Sequence, residues 1–500
     1  MNYIPVSLAI LPFIIFLFLL FVKKITLLKS SVITLCLYAF LAILYWKILP
    51  DFLYLSVGKG FFVAFDIFLI ILGAVFFLEI LKDLKVIKNI SYYLGNLSKD
   101  YRVQIIIIAW FLECFIEGTA GFGTPAAIAV PILIGLGLTP IKALVIGLLG
   151  NSVPGVFGAA GTPIKMGFIG LKTTMVPLYA ALLNSLGFII PIFMLWIMTE
   201  GRINRRKEFL AALPFAIWSG LAFVIPSLLF VSLGQEFPSI LGSIFGLIII
   251  VISIKLKFLI PKEELSLVEK QNEVASLSPL KAFLPYIILI ALLISGKFLI
   301  GTAGLAFSIG FKQVFNFFNP GFIFILAGLI VILIWREKIS VIGNSIKKAF
   351  TSAINPFLVV FSMLAMVQIM INAGHNSSGL LSPLTLITEI FDTVYLPFFV
   401  PFIGAFGAFM TGSVTVSNIM FGHLFNTAAT SLAYNTNFIL ALGVVGAAAG
   451  NMIALADILT AEAVTGVKNT EISILKGVII PCLTYLFVLG LVGIIFIKML

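Results

Sequence analysis

Two glutamates lie four residues apart in an apolar stretch of the 500-residue chain, and a glycine-rich segment follows them directly. At this spacing Glu113 and Glu117 share one face of a helix, and the segment "EGTAGFGTP" interrupts that helix. Burial in apolar surroundings and repulsion between like charges both favour the protonated form of a carboxyl group. The pair is therefore suited to load and release a proton, with Glu117 as the first candidate and Glu113 as the second.

The interruption itself predicts a binding site for an anion. Glycines at 121 and 123 permit positive φ and a close approach of a ligand to the backbone. A new helix is expected to begin near Thr124, with Pro125 in its first turn. Because the start of a helix carries partial positive charge and unpaired N–H groups, it suits a carboxylate or phosphate. We expect Gly121, Phe122, Gly123 and Thr124 to contact an anionic substrate.

Three further segments with breaks add polar groups that could complete such a site. They are "LLGNSVPGVFGAAGTPI" (148–164), "FMTGSVTVSN" (409–418) and "GAAAGNMIALADI" (446–458). The candidate substrate ligands in them are Asn151, Ser152, Thr162, Gly412, Ser413, Thr415, Ser417, Asn418 and Asn451. Asp457 is a third candidate for coupling to protons. The alternative is that these small residues only permit tight helix packing, as they do in membranes generally.

The composition places these segments in a lipid bilayer. Hydrophobic residues make up 61% of the chain and charged residues 10%, and the mean hydropathy is +1.21. A membrane-spanning helix needs about 20 apolar residues. Spans are predicted near 3–22, 32–49, 61–81, 141–164, 176–199, 209–231, 239–259, 283–300, 321–335, 351–372, 438–463 and 477–499. This leaves no room for a separate soluble domain.

The net charge of +11 resides mostly in loops, where it reports orientation, and no nucleic-acid partner is expected. Short cytoplasmic loops collect Lys and Arg. The basic clusters fall on consistent sides only if the interrupted stretches 103–137 and 397–431 both re-enter and leave on the side from which they came. Both termini are then extracellular. The first hairpin enters from the cytoplasm and the second from the exterior, so their tips point at each other.

This pattern predicts an all-α polytopic membrane protein built from inverted repeats, each with a re-entrant hairpin and a broken transmembrane helix. Transporters with such repeats bind substrate near the midplane, at discontinuous helices. The predicted domains are residues 1–208 as the first repeat (hairpin 103–137, broken helix 141–164), 209–282 as linking helices and a cytoplasmic loop, and 283–500 as the second repeat (hairpin 397–431, broken helix 438–463). No metal site, cofactor or catalytic motif is predicted, which argues against an enzyme.

Four motifs in this order resemble the L-lactate permease family: "ECFIEGTAGFGTPAAIA", "NSVPGVFGAAGTPI", "TGSVTVSNIMFG" and "GNMIALADILTAEAVTG". The resemblance implies proton symport of L-lactate, D-lactate or glycolate across a prokaryotic plasma membrane. It also implies kinship with the ion-transporter superfamily, hence elevator-type architecture and a homodimer. Val414 and Asn451 depart from the family pattern, which has Asp and Lys there. An acid and a base are lost together, so no unpaired buried charge remains.

Other functions stay open at this stage. A sodium-coupled transporter of another organic anion would place Na⁺ at the carboxyl ends of the half-helices and would depend on a sodium gradient. An anion channel would use the same tips as a filter and would show single-channel currents without uphill transport. An intramembrane enzyme is disfavoured because no catalytic constellation is present.

Overall fold

The computed structural model describes residues 3–23, 25–121, 124–267, 275–301, 303–308, 312–336, 339–388, 395–465 and 470–499. The α-helices are α1 (Tyr3–Leu17), α2 (Leu27–Leu41), α3 (Pro50–Asp83), α4 (Val86–Gly95), α5 (Tyr101–Ile106), α6 (Glu113–Thr119), α7 (Thr124–Gly135), α8 (Pro140–Gly150), α9 (Gly158–Lys165), α10 (Val176–Asn184), α11 (Ile190–Met198), α12 (Arg205–Phe230), α13 (Pro238–Lys255), α14 (Pro279–Ile300), α15 (Pro320–Trp335), α16 (Ile339–Asn372), α17 (Pro383–Thr388), α18 (Leu396–Thr411), α19 (Val414–Ser431), α20 (Thr436–Gly450), α21 (Leu455–Thr465) and α22 (Glu471–Ile497). Short π-helices cover Phe18–Val22, Ala42–Trp46 and Ile107–Leu112, and 3₁₀-helices cover Val153–Phe157, Ser185–Ile189, Val231–Leu233 and Asn451–Ile453.

Ten helical segments of the described chain are long and apolar enough to cross a membrane. They are Leu27–Trp46, Pro50–Asp83, Pro140–Lys165, Val176–Met198, Arg205–Leu233, Pro238–Lys255, Pro279–Ile300, Ile342–Asn372, Thr436–Thr460 and Glu471–Ile497. Each of them overlaps one of the twelve predicted spans. The other two predicted spans, 3–22 and 321–335, contain shorter apolar helices, Ile4–Phe16 and Pro320–Trp335.

The expectation of a purely α-helical chain needs one correction. Strands β1 (Gly304–Ser308) and β2 (Lys312–Asn316) pair as an antiparallel hairpin between α14 and α15, with Leu305 opposite Phe315. Phenylalanine and valine are enriched in strands, and both occur in this short segment. Each strand has only five residues, which is too short to stand out in the sequence between the long apolar helices on either side.

Both interrupted stretches form helical hairpins. Hairpin A comprises α5, the π-helix Ile107–Leu112, α6 and α7, and that π-helix packs back against α7. Hairpin B comprises α18 and α19, which pack along each other. In hairpin B the Ser417 hydroxyl donates a hydrogen bond to the Gly404 carbonyl at 2.7 Å. These contacts between half-helices require the chain to reverse direction at each tip.

A broken helix follows each hairpin. Broken helix A is made of α8, the 3₁₀-helix Val153–Phe157 and α9, and broken helix B is made of α20, the 3₁₀-helix Asn451–Ile453 and α21. Both pack closely against their own hairpin. A Cβ atom added at Gly446 would collide with the Pro401 carbonyl of hairpin B, so only glycine allows this approach.

A separate layer of helices is centred on α3, which packs lengthwise on α16 and also on α15. The backbones nearly touch where small residues meet: a Cβ at Gly60 would lie 2.7 Å from the Ala365 nitrogen, and one at Gly73 would collide with the Gly321 carbonyl. Close packing of small residues is the usual source of helix association in lipid. α3 also contacts α9, and this contact connects the layer with broken helix A.

A buried charged network anchors the start of hairpin A. The Arg102 guanidinium forms an ion pair with Asp100 at 2.6 Å and donates to the carbonyls of Glu208 and Glu263 at 2.9 Å each. Arg102 is 1% exposed. The Tyr101 hydroxyl donates to Glu208 at 2.8 Å, and burial and then this hydrogen bond raise the pKa of Tyr101. The network fastens hairpin A to α12 and to the loop that follows α13.

Removing this anchor should destabilise the protein strongly. Arg102→Ala leaves Asp100 as an uncompensated buried charge, which typically costs about 3 to 5 kcal/mol. Lys207→Ala is the matched control, because Lys207 also pairs with Glu263 but both side chains are two-thirds exposed, and such pairs contribute about 0 to 1 kcal/mol. Unfolding free energies measured by steric trapping in micelles should differ accordingly; equal losses would refute a structural role of the network.

Candidate functional site

Residues from both hairpins and both broken helices surround one cavity. It has about 290 Å³ of space not occupied by atoms, including its opening. The lining residues are Glu117, Gly121, Gly155, Gly158, Ala159, Pro163, Gly412, Ser413, Val414, Thr415 and Asn451. Six of these are among the site residues expected from the sequence, and they come from three segments: hairpin A, hairpin B and broken helix B.

Glu117 is the acid that lines the cavity. It is 4% exposed and lies against Gly158 of broken helix A, where a Cβ atom would collide with its Oε1 atom. Its Oε2 atom has no hydrogen-bond partner among the described residues. A buried polar atom without a partner is costly unless a proton, water or ligand satisfies it. Glu117 therefore offers an open acceptor, or the site of a proton, at the wall of the cavity.

Glu113 lies one turn earlier, away from the cavity. It is completely buried, and it packs into a notch made by the glycines of α8, since a Cβ atom at Gly150 would collide with its Oε2 atom. Neither of its carboxylate oxygens has a hydrogen-bond partner in the described part of the chain. The two glutamates thus face the same broken helix, but only Glu117 is placed to meet a ligand.

Asp457 adds a third carboxyl group close to the cavity, from the first turn of α21. It is 5% exposed, and its Oδ1 atom would lie 3.8 Å from a Cβ atom at Gly412, the residue at the tip of hairpin B. Its Oδ2 atom has no hydrogen-bond partner within the described ranges. Asp457 belongs to broken helix B and Glu117 to hairpin A, so the two acids come from different halves of the chain.

Broken helix A has an unusual backbone where it lines the cavity. Ala159, Ala160 and Gly161 have φ values of 41°, 53° and 78° in succession, all in the left-handed region. This region costs an L-residue with a Cβ atom roughly 1 to 2 kcal/mol, and such conformations concentrate at functional sites. These three residues form a kink that interrupts α9 beside the cavity.

The tip of hairpin B presents the start of a long helix to the cavity. Gly412 has a φ of 66°, and the Ser413 hydroxyl caps α19 by accepting a hydrogen bond from the Val416 amide at 3.3 Å. Val414 and Asn451 lie side by side, since a Cβ atom at Gly155 would lie 3.5 Å from each side chain. The Asn451 Oδ1 atom has no hydrogen-bond partner among the described residues.

The other polar residues expected at the site lie around the cavity and do not line it. Ser152 donates to the Leu149 carbonyl at 2.6 Å and Thr162 to the Ala159 carbonyl at 2.5 Å, so both stabilise broken helix A. Ser417 holds hairpin B together. Asn418 donates to the Pro163 carbonyl at 2.9 Å and so joins hairpin B to broken helix A. Asn151 is fully buried, and neither polar atom of its side chain has a described partner.

Three residues at the tip of hairpin A that are predicted to contact the substrate are not fully described by the structure. Phe122 and Gly123 lie outside the described residues, and of Thr124 only the backbone is described. α7 begins at Thr124, as the sequence predicts. Gly121, the last described residue before this gap, has a φ of 62° and lines the cavity.

Comparison with known proteins identifies the family. A model of the L-lactate permease family matches residues 6–300 and 297–500. The chain belongs to the L-lactate permease family. A putative L-lactate permease of Haemophilus influenzae is 30% identical over 83% of this chain and 84% of its own length. The glycolate permease GlcA and the L-lactate permease of Escherichia coli K12 are each 25% identical, over 97% of this chain and 94% of theirs.

Family membership confirms the resemblance found in the motifs. Together with ten apolar helices, it makes the chain a multi-pass protein of the cell membrane and a member of a family of permeases. Among solved structures, that of the YdaH transporter of Alcanivorax borkumensis matches 90% of this chain and 88% of its own with a TM-score of 0.47 and 13% identity.

Proposed function

We propose that this protein is a secondary active transporter that takes up a small monocarboxylate, L-lactate or a close relative such as D-lactate or glycolate, by proton symport. The observation that carries the proposal is a cavity lined by described residues of both hairpins and both broken helices, with the Glu117 carboxyl group in its wall. The names of the relatives, L-lactate permease and glycolate permease, support this choice of substrate.

The chemistry of the wall favours one negative charge on the substrate. No Lys or Arg occurs among the described lining residues, so a carboxylate must be bound by helix starts, backbone amides and neutral side chains. The start of α19 at the Ser413 cap supplies partial positive charge and N–H donors. Thr415 and Asn451 provide a hydroxyl and an amide for the substrate's hydroxyl group. A second carboxylate would have no cation to meet it.

The proton is assigned to Glu117. A neutral Glu117 leaves room for the substrate's negative charge in the cavity, whereas an ionised one repels it. The substrate and the proton therefore enter and leave together, which is the requirement for symport. Asp457 and Glu113 are the next candidates, because both are buried with unpartnered oxygens. A sodium ion held by Glu117 and Asp457 is the alternative coupling ion.

The proposed transport cycle is of the elevator type, within an inverted repeat. Support comes from the order of elements, since a hairpin followed by a broken helix occurs twice, in α5–α9 and in α18–α21. The α3, α15 and α16 layer would serve as the fixed scaffold, against which the hairpins and broken helices move. Both termini would be extracellular, and two copies would pair through scaffold helices.

Uptake by the purified full-length chain in proteoliposomes tests the function. An imposed inward proton gradient of one pH unit represents about 1.4 kcal/mol per proton, which sustains a concentration ratio of about ten. We expect labelled L-lactate to accumulate about tenfold, and a protonophore to abolish this. Accumulation that follows a sodium gradient instead would identify the sodium-coupled alternative, and currents without accumulation would identify a channel. Competition by glycolate, D-lactate and succinate ranks the substrates, with succinate expected to compete poorly.

A further inference from the structure

A cationic cluster lies beside the cavity, at the far end of α9. Lys165 is the last residue of α9 and stands two residues beyond Pro163, which lines the cavity. The Lys165 ammonium lies 5.5 Å from the centroid of the Phe318 ring, and the Lys297 ammonium approaches the same ring to 5.5 Å. Two lysines from separate helices therefore flank one aromatic side chain next to the cavity.

The two lysines differ in how their charge is neutralised. Lys297 contacts both carboxylate oxygens of Glu236, at 3.0 and 3.2 Å, and Glu236 is 1% exposed. In the described part of the chain no carboxylate forms an ion pair with Lys165, which Glu236 and Asp66 attract only over a longer distance. Lys165 is half-buried, so its charge is partly desolvated and still accessible to a small anion.

The cluster is fixed in place relative to the cavity. The loop that carries Glu236 packs on the break in α9, where a Cβ atom at Gly161 would lie 2.5 Å from the Gln235 carbonyl. The Ser239 hydroxyl donates to the Pro154 carbonyl at 2.8 Å. These contacts connect the loop after α12 and the first turn of α13 with broken helix A, at the kink and before it. These contacts hold the end of α9, which carries Lys165, in a fixed position relative to the cavity.

We propose that Lys165 is a capture site for the substrate's carboxylate beside the cavity, a proposal that rests on the proposed function. An unpaired cation beside a low-dielectric cleft raises the local concentration of anions. Because Lys165 is partly solvated, its attraction for the anion is weak and screened by salt. The described wall of the cavity contains no lysine or arginine, so the nearby charge of Lys165 also favours an anion bound in the cavity and contributes to the equilibrium affinity.

Equilibrium binding of L-lactate to the purified full-length chain, by isothermal titration calorimetry, tests this site. Lys165→Gln should raise the Kd about fivefold to tenfold at an ionic strength of about 20 mM, as expected when a partly exposed, charge-assisted contact is lost. At about 0.5 M the difference should shrink to less than about twofold because of screening. Lys165→Arg should stay within about twofold of the wild type. Lys498→Gln, which removes an exposed lysine outside the cluster, is the matched control.

The outcomes separate this inference from the proposed function. Wild-type binding together with an unchanged Kd in Lys165→Gln overturns the capture site alone. A loss that is the same at both ionic strengths, or that Lys165→Arg does not rescue, also overturns it, because a packing defect would have that signature. Salt-dependent weakening in a protein that binds but does not accumulate L-lactate supports the capture site and overturns the transport proposal. A wild-type chain that binds no L-lactate overturns both.

Discussion

The Glu117→Gln variant is expected to lose all accumulation of L-lactate driven by a proton gradient. Glutamine keeps the shape of a protonated glutamate but cannot release a proton, so the variant holds the neutral state permanently. The concentration ratio sustained by one pH unit should fall from about ten to about one. Exchange of labelled for unlabelled L-lactate should persist, because it needs no net movement of protons. The concentration ratio and the exchange rate are measured in the same proteoliposomes.

Two further substitutions show whether the effect is specific to Glu117. Glu113→Gln changes the other buried acid of α6, which does not line the cavity, and Glu264→Gln changes an exposed acid in the loop after α13. Accumulation should survive Glu264→Gln unchanged. If Glu113→Gln abolishes accumulation while Glu117→Gln retains it, the proton is carried by Glu113. Full accumulation in both variants would assign the coupling proton to Asp457.

The second large effect is expected at Gly150, where broken helix A meets hairpin A. A Cβ atom there would collide with the Ala109 carbonyl and with Glu113 Oε2. Since a backbone carbonyl cannot move aside without displacing its helix, Gly150→Ala should lower the free energy of unfolding by about 3 kcal/mol, at the upper end for overpacking. Steric trapping in micelles measures the change, and size-exclusion chromatography shows whether the variant still folds.

Gly343→Ala provides the matched control for this substitution. Gly343 lies in α16, is exposed, and has no neighbouring atom within 4 Å of a Cβ atom. Alanine is favoured over glycine in a helix interior by about 1 kcal/mol, so this variant should be slightly more stable than the wild type. A Gly150→Ala variant as stable as Gly343→Ala would show that the two helices can separate without cost, and would contradict the packing described above.

Much of the architecture could be predicted because lipid imposes simple rules. Apolar length identified ten helical segments, and the glycines after Glu117 together with Pro125 fixed the start of α7 at Thr124. The distribution of lysine and arginine further predicts that both hairpins re-enter and leave on one side of the membrane, which stays a prediction. Hydroxyl and amide side chains at the breaks are also expected to face a ligand. Ser417 and Asn418 instead bind carbonyl groups of neighbouring helices.

What could not be predicted depends on contacts between distant segments. Left-handed φ angles at Ala159 and Ala160 have no signal in the sequence, because alanine disfavours them and only the surrounding packing maintains them. The π-helix Ile107–Leu112, directly before Glu113, is equally invisible in a run of apolar residues. Such segments often occur at functional sites. Gly155 and Gly158 line the cavity because of where hairpin B lies, which no local pattern reveals.

The division of the cavity between two halves of the chain has a consequence for biosynthesis. Glu117 precedes Ser413 by about 300 residues, and a ribosome that adds about 5 to 20 residues per second needs about 15 to 60 seconds for that distance. Throughout this interval hairpin A lacks hairpin B, which supplies four of the residues that line the cavity. Its acids are meanwhile covered by broken helix A, which follows within 50 residues. The first half of the chain can therefore shield its buried carboxyl groups from lipid before the second half has been synthesised.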